Sequence, residues 1–141
     1  MLLHIIARGK IGRSPEAELV ARYAKRITWP FLLTELPDEG GKVPPAKHEP
    51  VRRVLLDERG RALSSPELAE LLEQWRDGGL REVQFHIGAA DGHGAEQRES
   101  ANMLLSFGPA TWPHLLVRAM LAEQLYRAVS IVSGHPYHRA G

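Results

Sequence analysis

The sequence predicts an α/β fold in which a mostly parallel sheet is flanked by helices. Two observations predict it. Short apolar runs at 2–7, 31–36, 54–57 and 83–87 alternate with segments that open on helix-start signals and repeat apolar residues at helical spacing. Glycines and prolines punctuate the junctions, and no internal repeat or low-complexity segment interrupts the alternation. Strands that alternate with helices are joined by crossovers, which leave neighbouring strands parallel.

Each element has its own signal. The run at 2–7 reads as a buried strand, with a turn at Gly9 and Gly12 after it. Ser14 offers a capping hydroxyl, Pro15 suits the first helical position, and Glu16 complements the positive end of the helix. Leu19, Tyr23 and Ile27 share one face of that helix, with Arg22 and Arg26 beside them. Residues 31–36 read as a second strand, and 38–50, with Gly40, Gly41, Pro44, Pro45 and Pro50, as a loop. Val54-Leu55-Leu56-Asp57 is a short central strand that ends in an acid, with Gly60 in the site loop behind it. Ser64-Ser65-Pro66-Glu67 opens a helix with Leu68, Leu71, Leu72 and Trp75 as its core face, closed by Gly78-Gly79. A strand at 83–87 leads to Gly88-Ala89-Ala90-Asp91-Gly92. A short helix is expected over roughly 96–105, then a last strand with its exit loop over 106–112. The final helix runs over 114–132, where Val117, Leu121, Leu125 and Val129 form a core stripe, and Gly134 stops it. Ligands of parallel sheets sit at the carboxyl ends of strands. Here those ends are Leu56-Asp57, 88–92 and 107–112.

With 141 residues the chain is expected to form one domain, spanning 1–141, with a core that needs no staples. The absence of cysteine excludes disulfides, thiolate nucleophiles and cysteine-based metal sites. Arg8 and Lys10 follow the apolar start rather than precede it, the reverse of a signal peptide, and no stretch is long enough to span a bilayer. These features predict a cytoplasmic protein without a membrane partner. A net charge of +1 is too balanced for a general nucleic-acid coat. The distribution is uneven, however. Arg8, Lys10, Arg13, Arg22, Lys25 and Arg26 face only Glu16 and Glu18, and Arg118, Arg127 and Arg139 lie near His114, His135 and His138. Solvated faces account for this pattern, and so does a polyanion surface assembled in the fold or across a dimer.

The chemistry-bearing groups gather at the C-terminus. Glu123, Tyr126 and Arg127 lie within one helical turn, and Tyr137-His138-Arg139 gives the C-terminal tail ring and cation side chains suited to finishing a site. The loop after Gly88 lets a ligand approach the backbone. It is neither a dinucleotide fingerprint nor a phosphate loop, and it reads equally as a tight turn. His135 and His138, with His114, lack a helical frame and a third ligand, so no metal is expected. A metal-dependent hydrolase on those histidines stands last among the alternatives. No nucleophile elbow or Ser/His/Asp set supports acyl hydrolysis.

The string Thr111-Trp112-Pro113-His114-Leu-Leu-Val-Arg118, with Glu123-Gln124-Leu-Tyr126-Arg127-Ala and Gly134-His-Pro136-Tyr137-His138-Arg139, resembles the C-terminus of the RlmH-type ribosomal RNA methyltransferases of the SPOUT superfamily. The resemblance extends in order to Gly9-Lys10, Tyr23, Arg26, Leu55-Leu56-Asp57-Glu58-Arg59-Gly60 and Phe85-His-Ile-Gly88-Ala-Ala-Asp91-Gly92. It implies a SPOUT α/β knot whose C-terminal part forms a trefoil, and a homodimer that binds S-adenosylmethionine in the knot. It also implies methylation of N3 of a pseudouridine in the helix 69 loop of 23S rRNA in the assembled ribosome.

Carried over residue by residue, the cofactor contacts are Leu56, Gly88, Phe107, Gly108, Pro109, Ala110, Thr111 and Trp112. The catalytic surface is Tyr137, His138 and Arg139 with Arg127, where His138 is the expected base and Arg139 the clamp on a carbonyl or phosphate. RNA contacts fall to His114, Arg118, Arg22 and Arg26. The chain departs from the family's pattern in three places. Ala89 stands where a second glycine is usual, Phe107-Gly108-Pro109-Ala110-Thr111-Trp112 replaces Leu-Ser-x-x-Thr-Leu, and 37–51 is shorter. These departures motivate two alternatives: an RNA-binding homologue with weakened or lost cofactor binding, and a SPOUT methyltransferase for another RNA site.

Overall fold

The computed structural model describes residues 1–88 and 94–139. Residues 89–93, and with them the expectation about Ala89, lie outside the described residues, as do 140–141. The elements run β1 (Leu2–Arg8), α1 (Pro15–Arg26), β2 (Phe31–Leu36), β3 (Val51–Ala62), α2 (Ser65–Asp77), β4 (Glu82–Ile87), α3 (Ala95–Ser100), β5 (Met103–Ser106) and α4 (His114–Ser133). The strands form one sheet in the order β2-β1-β4-β3-β5, and every described pairing is parallel. The two predicted caps form as read. Ser14 accepts from the Ala17 N–H, and Ser64 with Glu67 makes a reciprocal capping box.

Strand period two divides the sheet into two faces. Leu3, Ile5, Val54, Val83 and Phe85 point to the helical side, where Leu68 and Leu72 of α2 and Leu121, Leu125 and Val129 of α4 complete the core. Each such buried side chain contributes about 1.5–3 kcal/mol. α4 lies between α1 and α2. The opposite face carries His4, Glu82 and Gln84, all buried. Buried polar groups need partners, and the predicted loop supplies those of Glu82, which accepts from the Lys47 and His48 N–H groups at 2.8 and 3.1 Å. Gln84 donates to Glu82 at 3.2 Å, and His4 Nε2 meets Thr34 Oγ1 at 2.7 Å.

Two elements differ from their prediction. The strand expected to stop at Asp57 resumes after a bulge and runs to Ala62, with Leu105 opposite both Leu56 and Arg61. Gly60 permits this, because a Cβ there would stand 2.5 Å from the Leu104 carbonyl carbon and 2.7 Å from its oxygen. The helix expected over roughly 96–105 ends at Ser100, and Met103–Ser106 is the edge strand. Asn102 makes the switch. Its backbone N–H donates to Arg53 O at 2.9 Å and its Oδ1 accepts from Arg53 N at 2.7 Å, which ties the chain to β3.

Candidate active site

The carboxyl ends of β3, β4 and β5 open onto one cavity of about 580 Å³. Leu56, Ile87, Leu105, Phe107 and Val117 give it an apolar floor, and Asp57, Glu58 and Arg59, carried outward by the bulge, form one rim. Residues 107–113 form the other rim as the chain crosses from β5 to α4. Three hydrogen bonds hold this crossing: Ser106 Oγ donates to Gly108 O at 2.8 Å and accepts from Gly108 N at 3.0 Å, and Thr111 Oγ1 donates to Glu58 at 2.9 Å. Trp112 is 43% exposed, and its indole N–H donates to Phe107 O at 3.4 Å.

An adenosyl sulfonium group needs an apolar slot, acceptors for ribose hydroxyls and no crowding of positive charge. The volume lies in the range of small-molecule sites, the floor is apolar, and at the rim Asp57 and Glu58 balance Arg59 and Arg98, whose Nε stands 3.7 Å from Asp57. The residues present therefore fit that group.

Arg118, one turn into α4, is fully buried. Its guanidinium pairs with Glu35, and Nη2 donates to Gly9 O at 2.9 Å and Arg8 O at 3.3 Å. Glu35 also accepts from Ile11 N at 2.8 Å. The start of α4 is thus fastened to the ends of β1 and β2. Gly9 takes φ +91°, and a Cβ there would lie 3.5 Å from His114 Nε2, so the backbone comes close to the His114 ring.

The tail forms a separate cluster. Glu123 receives Arg127 through Nε at 2.8 Å and Nη2 at 2.6 Å, and receives the Tyr137 hydroxyl at 3.1 Å. Arg127 Nη1 stands 3.1 Å from His138 Nδ1, and the guanidinium lies 4.7 Å from the centre of the Tyr137 ring. Tyr137 in turn packs on Tyr126 at 4.5 Å between centroids, and Tyr126 on Tyr23 at 6.0 Å. Burial, a hydrogen bond with Tyr23 and the nearby Glu123 carboxylate push the Tyr137 hydroxyl well above its ordinary pKa, so it stays a neutral donor. Burial works against the Arg127 charge but is outweighed by Glu123, which raises its pKa.

Of the cofactor residues read from the sequence, all but the exposed Pro109 line the cavity. His114, expected at the RNA, lines it as well. Arg22 and Arg26 stand exposed on α1. Arg118 does not face RNA: it is buried and its guanidinium is committed within the chain. Tyr137, His138 and Arg127 come together, while Arg139 is exposed beside them. None of these four lines the cavity, whereas Glu123 lines a second groove that shares Leu105, Phe107 and Gly108 with it. Sequence reasoning missed Glu58 and Val117 as cavity residues. The run into Asp57 and Gly60 signalled the first, but nothing in spacing signalled the second. Among the described residues no three His, Asp or Glu converge as a metal set, and no helix is long and apolar enough to cross a membrane.

A family model described as "Predicted SPOUT methyltransferase" matches residues 1–138. The chain is 67% identical over 141 residues to "Ribosomal RNA large subunit methyltransferase H" of Novosphingobium aromaticivorans and 67% identical to that of Erythrobacter litoralis, covering 100% of both partners each time. The protein of the same name from Zymomonas mobilis is 55% identical over 143 residues, again with 100% of each chain covered. Among solved structures it is similar to a probable methylase family protein from Haemophilus influenzae Rd KW20, with a TM-score of 0.61 and 13% identity over 98% of this chain and 70% of that one. At that identity the likeness concerns the fold alone.

Proposed function

We propose, for a chain that belongs to the SPOUT methyltransferase family, that it methylates N3 of a pseudouridine in the helix 69 loop of 23S rRNA in the assembled ribosome. In this reading it acts as a homodimer with S-adenosylmethionine as methyl donor. The names of its full-length relatives support an rRNA of the large subunit as substrate. The family's knotted C-terminus is supported by a chain path that leaves the β5 edge, crosses the strand ends, and fastens α4 to Gly9 and Glu35 on the other side.

One observation carries the dimeric reading. Tyr137, His138, Arg139 and Arg127 do not line the cavity of their own chain, and Glu123, which holds Arg127 and Tyr137, lines an adjoining groove instead. A second copy brings its Tyr137, His138 and Arg139 to it.

S-adenosylmethionine, when bound, supplies a methyl group on an electrophilic sulfonium. Leu56, Phe107 and Val117 would shield its ring from water, Gly88 and residues 107–111 would offer backbone groups, and Asp57 and Glu58 would supply acceptors for its hydroxyls. Arg139 grips a carbonyl or phosphate of the RNA, and Tyr137 offers a ring face and a neutral O–H. Arg22 and Arg26 of α1, with His114 at the cavity, extend the contact to phosphate. The near-neutral chain relies on the shape of the assembled ribosome rather than on charge alone.

Mixing two inactive variants tests this assignment. A chain with His138→Ala and Arg139→Ala and a chain with Gly88→Trp are each expected to transfer no methyl to ribosomes. After denaturation and joint refolding, mixed dimers hold one intact cavity facing one intact tail, and activity returns. Failure of the mixture, with each variant folded and dimeric, contradicts the two-chain site.

A further inference from the structure

We infer that His138 serves the reaction as a hydrogen-bond donor through Nε2–H, and not as its base, because the Glu123–Arg127 pair holds Nδ1 as an acceptor. The inference rests on the function proposed above. Arginine carries only donors. A histidine nitrogen 3.1 Å from Arg127 Nη1 therefore presents its lone pair, which leaves the ring proton on Nε2. Arg127 is not free to turn away. Glu123 holds it at two nitrogens, at 2.8 and 2.6 Å, and the Tyr137 ring lies against its guanidinium. Tyr137 is itself fixed by its bond to Glu123 and by Tyr126. Arg127 is the group that meets the imidazole, and Glu123 and Tyr137 fix Arg127 in place, with Tyr23 behind them across the aromatic stack.

A ring in this state has no free lone pair to take the imide proton, but it has one N–H to give. The N3–H of pseudouridine is flanked by two carbonyls, and its weak acidity comes from spreading charge onto their oxygens. The imide loses its proton to water. The N3 electron pair then forms the bond to the methyl carbon as the carbon–sulfur bond breaks, and the sulfonium and imidate charges cancel. His138 Nε2–H, aimed at a carbonyl oxygen, stabilises the charge that the imide carries before transfer. Arg139 donates beside it. This arrangement accounts for an arginine placed against the histidine, which is the wrong neighbour for a base and the right one for a fixed donor.

Two measurements test the inference. Long-range ¹⁵N imidazole spectra of the labelled protein, with the His138 signals assigned by their loss in His138→Gln, are expected to show that the neutral ring carries its proton on Nε2 and not on Nδ1. The opposite tautomer overturns the inference whatever the activity. Single-turnover methylation of ribosomes is expected to rise with pH straight through the histidine range. His138→Gln, which keeps an outward N–H but cannot act as a base, stays within about tenfold of the natural chain, while His138→Ala loses about 10²-fold. Both variants keep the natural melting temperature. A pH profile that bends in the histidine range and loses the bend in His138→Gln makes His138 the base and overturns the inference. If the natural chain places no methyl on N3, the proposed function falls and the donor's role with it, and the spectra still report the tautomer.

Discussion

Arg118 near the start of α4 and Glu35 in β2 form an ion pair that joins two elements separated by most of the chain. The arginine is fully buried and the Glu35 side chain is 36% exposed. Removing one partner leaves the other charge partly stranded. Glu35→Gln is expected to cost about 1–2 kcal/mol, discounted because solvent screens the exposed half of the pair, and a melting curve measures it.

The same pair sets an acid dependence. Burial pushes the Glu35 carboxyl up, but the Ile11 N–H and the Arg118 guanidinium outweigh it and hold its pKa below the ordinary 4.5. The folded chain then takes up this proton less readily than the unfolded chain. The stabilisation is complete above 4.5 and is lost as pH falls through the lower, folded value. Melting temperatures of the natural chain and Glu35→Gln are expected to differ at neutral pH and converge in acid. A gap that stays constant into acid contradicts this account.

Gly60→Ala places a methyl against the Leu104 backbone, which is not a flexible neighbour. The bulge that carries Asp57 and Glu58 to the cavity rim must shift. About 1–3 kcal/mol of stability should be lost, with weaker S-adenosylmethionine binding by calorimetry. Unchanged affinity in a folded variant separates the bulge from the cavity.

Trp112 is exposed at the cavity, whereas Trp29 and Trp75 pack against the core away from it. Tryptophan fluorescence should change on addition of S-adenosylmethionine, and Trp112→Leu should abolish the change while calorimetry still detects binding. A signal that survives the substitution places the reporter elsewhere.

Arg127→Lys keeps the charge but offers no planar fork to span Glu123 and His138. Methyl transfer is expected to fall about 10²-fold through misplacement of the tail, with little change in melting temperature. Full activity in the lysine variant contradicts the orienting role.

Much of this was legible in residues. Ser14-Pro15 and Ser64-Ser65-Pro66-Glu67 mark helix starts through local capping chemistry, which needs no tertiary context. Leu56-Asp57, Gly88 and the segment after Phe107 were read as strand ends and border the cavity, because apolar runs that stop at an acid or a glycine leave backbone groups at one end of the sheet. What stayed hidden depends on long-range pairing. Met103-Leu104-Leu105 suits a helix locally, and becomes a strand only because Asn102 meets Arg53 from β3. Arg118 reads as a surface cation until Glu35 and Gly9 are brought to it. That Tyr137, His138 and Arg139 stay out of their own chain's cavity is likewise a matter of tertiary packing, which no periodicity carries.

The most direct measurement is transfer of labelled methyl from S-adenosylmethionine to assembled ribosomes that lack the helix 69 methyl group, with the product mapped to the nucleotide. Label on N3 of the pseudouridine is expected, with weak transfer to a short free hairpin of the same sequence. Label at another nucleotide, or robust methylation of the free hairpin, contradicts it. So does cofactor binding without any transfer.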